Sequence, residues 1–125
     1  MSLSTRLGRF VAVALAAALT AFAAPARAEM ALLMFEQAGC LYCQHWNSEI
    51  APKYALTEEG KAAPLRRLNI HGDLPENLSL DRPPVFTPTF VLISGGTEIG
   101  RIEGYPGEDF FWGLLGSLLS ETPGL

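Results

Sequence analysis

The chain has 125 residues, enough for one small domain, with nine basic and 13 acidic side chains and a net charge of −4. Beyond the N-terminal segment its Lys and Arg residues are scattered singly, apart from the pair Arg66-Arg67. An acidic chain without a basic cluster is a poor candidate for binding nucleic acid or anionic lipid.

The first residues read as a leader. "MSLSTRLGR" carries Arg6 and Arg9 and no acid, Phe10 to Ala24 is apolar except for Thr20, and Ala26-Arg27-Ala28 is a small-x-small pattern. Together these predict a secretory signal peptide, residues 1–28, cut after Ala28. The alternative is a retained membrane anchor, but 15 residues make only about 22 Å of helix, short of a ~30 Å hydrocarbon core. Cleavage removes three of the nine basic residues and none of the 13 acids, so the remaining domain, residues 29–125, carries a charge of −7. Export also places the cysteines in an oxidising compartment, where a close pair stays oxidised unless something reduces it.

Met30 to Gln37 is a short apolar run of strand length, predicted as a buried strand and ended by Gly39. From Cys43 the apolar positions Cys43, Trp46, Ile50 and Tyr54 recur at three and four, one face of a helix that Pro52 kinks or ends. "TEEGKAAP" reads as a polar break, and Leu65 to Ile70 as a second strand. "HGDLPENLSLDRPPVFTP" reads as a long connection with at most one helical turn. Thr89 to Ile93 is an apolar strand, and Ser94-Gly95-Gly96 a hairpin turn into the strand Thr97 to Gly104. Ile99 and Ile102 break strict alternation there, and a bulge at Gly100 would restore their common facing. Glu108 and Asp109 open a last helix, with Phe110, Phe111, Leu114, Leu115, Leu118 and Leu119 as its apolar face. Its other face, Gly113, Gly116, Ser117 and Ser120, is small and uncharged, which suits contact with another protein or a membrane surface. The order predicts a βαβ unit followed by a ββα unit: one small α/β domain with a mixed sheet.

Cys40 and Cys43 are the only cysteines. Haem attachment needs a His directly after the second Cys, and here Gln44 intervenes. A copper or zinc site using Cys40, Cys43 and His45 is the alternative from another class. On a helix, however, His45 lies about 200° around from Cys43, and a closed zinc site would also need the distant His71. A purely structural bridge across so short a loop removes little chain entropy. Redox chemistry has a physical basis: unpaired N–H groups at a helix start stabilise the Cys40 thiolate, and Cys43 sits one turn later, within reach of the bond that Cys40 forms. A C-x-x-C beside a βαβ pattern is a redox signal.

A second motif joins it. Phe86-Thr87-Pro88-Thr89-Phe90 precedes and enters a buried strand, and with the cysteine pair it resembles the thioredoxin superfamily, in which T-P-T-F marks a cis-proline facing the cysteines. The stretches "MFEQAGCLYCQHW", "TPTFVL" and "GYPGEDFFWGLL" are similar, more narrowly, to small periplasmic thioredoxins encoded with bacterial sulfur-oxidation genes. The resemblance covers nearly all of residues 29–125 and implies a trimmed thioredoxin-like α/β fold, a mixed central sheet with flanking helices, whose second helix is reduced to the long connection. It implies a thiol-disulfide oxidoreductase with Cys40 and Cys43 catalytic, Thr87, Pro88, Gly104 and Tyr105 lining the substrate groove, and no cofactor. The buried Asp of cytosolic relatives falls on Met34, which leaves Glu36 as the nearby proton acceptor. The implied partners are a periplasmic cysteine-bearing protein as substrate and a membrane thiol transporter as electron donor, with the domain acting as a monomer. A substrate in cytochrome maturation is the alternative to a sulfur-oxidation carrier. Leu41 and Tyr42 bring no charge into the pair, which leans towards a reductant.

Overall fold

Met30–Glu36 forms β1, and its five central residues are buried. Both faces of the strand are covered, so it reads as an unbroken apolar run and not as an alternation. The computed structural model describes residues 28–122, and all of the predicted leader except Ala28 lies outside the described residues. After β1 the chain turns at Gly39, whose φ of +76° suits only a residue without Cβ, and α1 begins at once (Leu41–Glu49).

Helix α1 stops at Ile50, and a single turn, α2 (Ala51–Tyr54), follows with Pro52 in its opening positions, where a missing N–H costs little. The predicted face holds across that break: Cys43, Trp46, Ile50 and Tyr54 are all buried. The polar break expected next is a helix instead, α3 (Glu58–Ala62). Thr57 caps it by accepting from the Gly60 N–H at 3.0 Å, and Glu58 and Glu59 occupy its first turn, where the helix dipole favours acids. Strand β2 (Leu65–Asn69) then pairs parallel with β1.

Strands β3 (Thr89–Ser94) and β4 (Thr97–Glu103) form a hairpin, and β3 lies antiparallel to β1, so the sheet order is β2-β1-β3-β4. Gly95 and Gly96 both have positive φ, as a tight hairpin turn of matching twist requires. The bulge in β4 differs from expectation. Leu92 pairs with Gly100 and Ile93 with Glu98, so Ile99 is the extra residue and points outward, 42% exposed. The shift turns Glu98 inward in its place, while Ile102 stays in the core.

The last helix, α4 (Glu108–Ser120), buries a narrower stripe than the sequence suggested. Phe111, Leu115 and Leu119, at strict spacings of four, face the core, while Phe110 and Leu114 are exposed beside the small residues of the outer face. One core layer lies between the sheet and the helices. Leu32, Met34, Phe90, Leu92 and Ile102 meet Trp46, Ile50, Tyr54 and Phe111 there. Its centre is aromatic: Trp46, Phe90 and Phe111 stand 5.0–5.7 Å apart in tilted and edge-on pairs, each worth about 0.5–1.5 kcal/mol beyond the area it buries.

The opposite sheet face, Ala31, Leu33, Phe35, Val91 and Ile93, is covered by Leu78 and Leu80 of the long connection. Among the described residues this connection contains no helix, in keeping with a trimmed fold. It is fastened to β4 instead. The Ser79 N–H donates to the Gly96 carbonyl, and the Glu98 N–H to the Ser79 carbonyl, at 2.8 and 2.9 Å. The inward Glu98 carboxylate accepts from Arg101 Nε at 2.5 Å and from the Asp81 N–H at 2.7 Å, and Arg101 Nη2 donates to the Arg82 carbonyl at 2.7 Å. Burial alone would raise the Glu98 carboxyl pKa. The bonds from Arg101 and Asp81 and the charges of Arg101 and Arg82 outweigh it and hold the group below the ordinary range.

Candidate redox site

The strand register assembles the site before any side chain is considered. Phe35 pairs with Thr89, so the next residues out along β1, Glu36 and Gln37, run beside Pro88 and Thr87. Thr89 pairs with Glu103, which brings Gly104 beside Pro88, and Glu36 pairs with Asn69, which brings Ile70 and His71 to the same end. Four chain segments therefore meet at one end of the sheet, where β1 hands over to the cysteine loop.

Cys40 is the residue before α1 and caps it: its Sγ accepts from the Cys43 N–H at 3.1 Å. The two sulfurs are bonded to each other, with the Cα atoms 5.2 Å apart. Cys40 is 8% exposed and Cys43 3%, so the first cysteine is the more accessible and the second lies against the core. Between them Leu41 and Tyr42 are turned to solvent, each 58% exposed. His45 is exposed and stands edge-on to Tyr42, while Cys43 is buried, so imidazole and thiol occupy different faces of α1. Among the described residues no three His, Cys, Asp or Glu side chains converge as metal ligands would.

The Thr87–Pro88 peptide is cis, and Pro88 is buried. Its carbonyl accepts the Gly104 N–H at 2.8 Å, which ties the turn after β4 to the proline segment. Gly104 has φ +85°, so a side chain there would strain the turn. Tyr105 is buried in the same cluster as both cysteines, with its ring edge-on to Phe111. Its hydroxyl donates to Glu49, the last residue of α1. Phe86 and Val85, just before Thr87, are exposed and apolar.

Glu36 is at the end of β1, and by strand alternation it faces the side of Leu32 and Met34, the layer that also contains Cys43. Its carboxylate accepts from Arg67 Nη1 at 2.6 Å. The same guanidinium reaches the Met34 sulfur at 3.6 Å and lies 5.8 Å from the centre of the Trp46 ring.

Two features that fasten the site were not read from the sequence. Gln37 Nε2 donates to Thr87 Oγ1 at 2.9 Å, and Gln37 Oε1 accepts from His71 Nε2 at 2.7 Å. Glu49 joins α1 to Tyr105. Neither follows from spacing along the chain: strand register brings Gln37 to Thr87 and His71, and the packing of α1 on the sheet brings Glu49 to Tyr105.

A bonded C-x-x-C pair at a helix start, with a cis-proline segment and a glycine turn at the same end of a mixed sheet, defines a thiol-disulfide oxidoreductase of thioredoxin-like fold. The chain is 61% identical to the periplasmic thioredoxin SoxS from Paracoccus pantotrophus, whose crystal structure is of the reduced form. The match has a TM-score of 0.73 and covers 74% of this chain and 97% of that one. No protein-family model and no curated protein matches. The chain belongs to the thioredoxin family and is similar within it to SoxS.

Proposed function

We propose that this chain is a periplasmic reductant that restores the reactive cysteine of a sulfur-oxidation carrier protein. The observation that carries the reading is the 61% identity, over nearly the whole of that protein, to a periplasmic thioredoxin. The arrangement of the cysteines supports the direction of attack. Cys40 is the more accessible, and the unpaired N–H groups of α1 favour its thiolate, so Cys40 attacks a disulfide on the substrate. One S–S bond breaks, a mixed disulfide forms, and the leaving thiolate takes up a proton. Cys43 then loses its proton and attacks the Cys40 sulfur, which releases the second substrate thiol and leaves Cys40 and Cys43 bonded. Two electrons pass to the substrate. A membrane thiol transporter returns them, because NADPH is not available outside the cytoplasm.

Glu36, on the Cys43 side of the sheet and held by Arg67, is the proton acceptor in this scheme. Thr87 and Pro88 form the wall against which an extended substrate lies, and Gly104 and Tyr105 form the adjoining wall. Among the described residues no hydrogen bond engages the N–H or carbonyl of Thr87, so its backbone is free to pair with a substrate strand.

Cys43→Ser expressed in the periplasm is expected to trap the substrate as a reducible covalent complex, and Cys40→Ser to trap nothing. A sulfur-oxidation carrier in the trapped band supports the proposal. Cytochrome-maturation proteins there would replace it with the second substrate class, and many unrelated secreted proteins would make the chain a general disulfide catalyst. A reduction potential near about −270 mV accords with a reductant, and one near about −120 mV would reverse the direction of flow.

A further inference from the structure

Gln37 is exposed, three residues before Cys40, yet both ends of its amide are engaged. A primary amide presents a donor and an acceptor side by side. Here the donor meets the Thr87 hydroxyl at 2.9 Å and the acceptor meets His71 Nε2 at 2.7 Å. The chain of bonds crosses from the segment after β2, over the end of β1, to the segment before β3.

The neighbours of Thr87 are fastened from other directions. Thr89 Oγ1 donates to the Phe86 carbonyl at 2.6 Å, and the Pro88 carbonyl accepts from Gly104. Within Phe86–Thr89, Thr87 alone has no hydrogen bond to its backbone N–H or carbonyl among the described residues, and its side chain is held by Gln37. An edge residue held in place before the substrate arrives loses less conformational freedom on binding.

We propose that Gln37 and His71 are positioning residues for substrate disulfides: the relay His71–Gln37–Thr87 presets the free backbone edge of Thr87 for an extended peptide. The inference rests on the reading of Thr87 as the substrate-pairing edge. The relay acts on binding, and the sulfur chemistry stays with the cysteines. A disulfide without a peptide backbone gains nothing from it.

The test uses the exported protein in its dithiol form, in single turnovers that need no added reductant. Each turnover consumes one disulfide, gives two thiols and leaves Cys40 and Cys43 oxidised. One reactant is a ten-residue peptide with glutathione disulfide-bonded to its cysteine. The other is bis(2-hydroxyethyl) disulfide. The wild type is expected to half-saturate at a lower concentration of the peptide than of the small disulfide. Gln37→Ala should raise the half-saturating peptide concentration about three- to ten-fold, the size of one net hydrogen bond, with the limiting rate unchanged. His71→Ala should produce a smaller rise, and His71→Gln, whose amide nitrogen reaches about as far as Nε2, should reverse it. Thr87→Val combined with Gln37→Ala should add little beyond Gln37→Ala alone. Equal half-saturation by both disulfides in the wild type sinks the groove reading itself. A wild-type preference for the peptide that survives Gln37→Ala intact overturns the relay while the groove stands.

Discussion

The Tyr105 hydroxyl donates to the Glu49 carboxylate at 2.5 Å, joining the far end of the cysteine-bearing helix to the turn that follows β4. The bond fastens the Gly104–Tyr105 wall of the site to helix α1. Tyr105→Phe keeps the ring packing on Phe111 and loses the bond, so a stability loss of about 1 kcal/mol is expected, or about 4–8 °C in Tm for a domain of this size. Thermal unfolding of the variant measures it directly.

The same residue and Tyr54 set an alkaline limit. Burial raises the Tyr54 pKa, with help from the Glu59 charge, while its hydroxyl donates to the Ala63 carbonyl at 2.6 Å. For Tyr105 the causes are burial, the bond and charge of Glu49, and the charge of Glu108. Both pKa values are raised in the folded state. Their contribution to stability is therefore fully present below the unfolded value of about 10 and is lost as pH climbs above it. The urea midpoint should fall from about pH 10 upward, and more gently in Tyr105→Phe. A flat profile there would show that neither phenol is held in its protonated form.

An acidic limit is expected from the Glu98–Arg101 pair. Its side chains are 1% and 7% exposed, and removing Glu98 leaves Arg101 with the Arg82 carbonyl and the Glu103 carboxylate at 3.8 Å. Glu98→Ala is expected to cost about 1.5–3 kcal/mol, the size of a hydrogen bond to a charged group. The folded carboxyl pKa lies below its ordinary value, so the stability it supplies is present above about pH 4.3 and declines as pH falls through the folded value. Glu98→Gln should flatten that part of the pH–stability curve. Because the pair also holds Asp81 and Arg82, limited proteolysis of Glu98→Ala should cut first in the connection between β2 and β3. First cleavage elsewhere would mean the connection is held by its leucines alone.

Glycine substitutions should separate by position. A Cβ on Gly60 would stand 1.8 Å from the Tyr54 carbonyl oxygen, and that backbone belongs to the end of α2, which packs into the core. Gly60→Ala is expected to lose more than about 2 kcal/mol, as overpacking against backbone does. Gly113 and Gly116, inside α4, have nothing within 4 Å. Alanine at either should gain about 0.5–1 kcal/mol by restricting the unfolded chain. Urea midpoints for the three variants check both signs.

In the reduced protein Cys40 should alkylate before Cys43, with a thiol pKa below the ~8.5 of a free cysteine. Cys40 is the more accessible of the two and sits at the helix start, where thiolate charge meets unpaired N–H groups. Peptide mapping after a short pulse of iodoacetamide at neutral pH gives the order. Equal labelling of both cysteines would dissolve the distinction between attacking and resolving thiols.

Local patterns carried most of the elements. The burial of β1 and β3, the break before the cysteines, the face Cys43-Trp46-Ile50-Tyr54 and the β3–β4 hairpin were legible because each follows from residue spacing and turn chemistry. Helix α3 was hidden because "TEEGKAAP" has no apolar periodicity. Its only sign was Thr57 followed by two acids, an N-cap signature that composition masks. The outward turn of Ile99 and the inward turn of Glu98 were hidden for another reason. Hydropathy ranks isoleucine inside and glutamate outside, and only Arg101 with the connection packed beside it reverses that order.

By itself the sequence determined the α/β order of elements, the cysteine pair at a helix start and the proline segment before β3, all of which depend on residues near one another in the chain. The tertiary structure decided what those pieces face. The register Phe35–Thr89 and Thr89–Glu103 sets Thr87, Pro88 and Gly104 beside the end of β1, and Glu36–Asn69 brings His71 within reach of Gln37. The hairpin turn helps to fix the β3–β4 offset, but which strands flank β1, and at what offset, depends on segments far apart in the chain. The relay His71–Gln37–Thr87 exists only once the sheet has chosen that register, and the bond Tyr105–Glu49 only once α1 has packed on it; each links residues more than 30 positions apart.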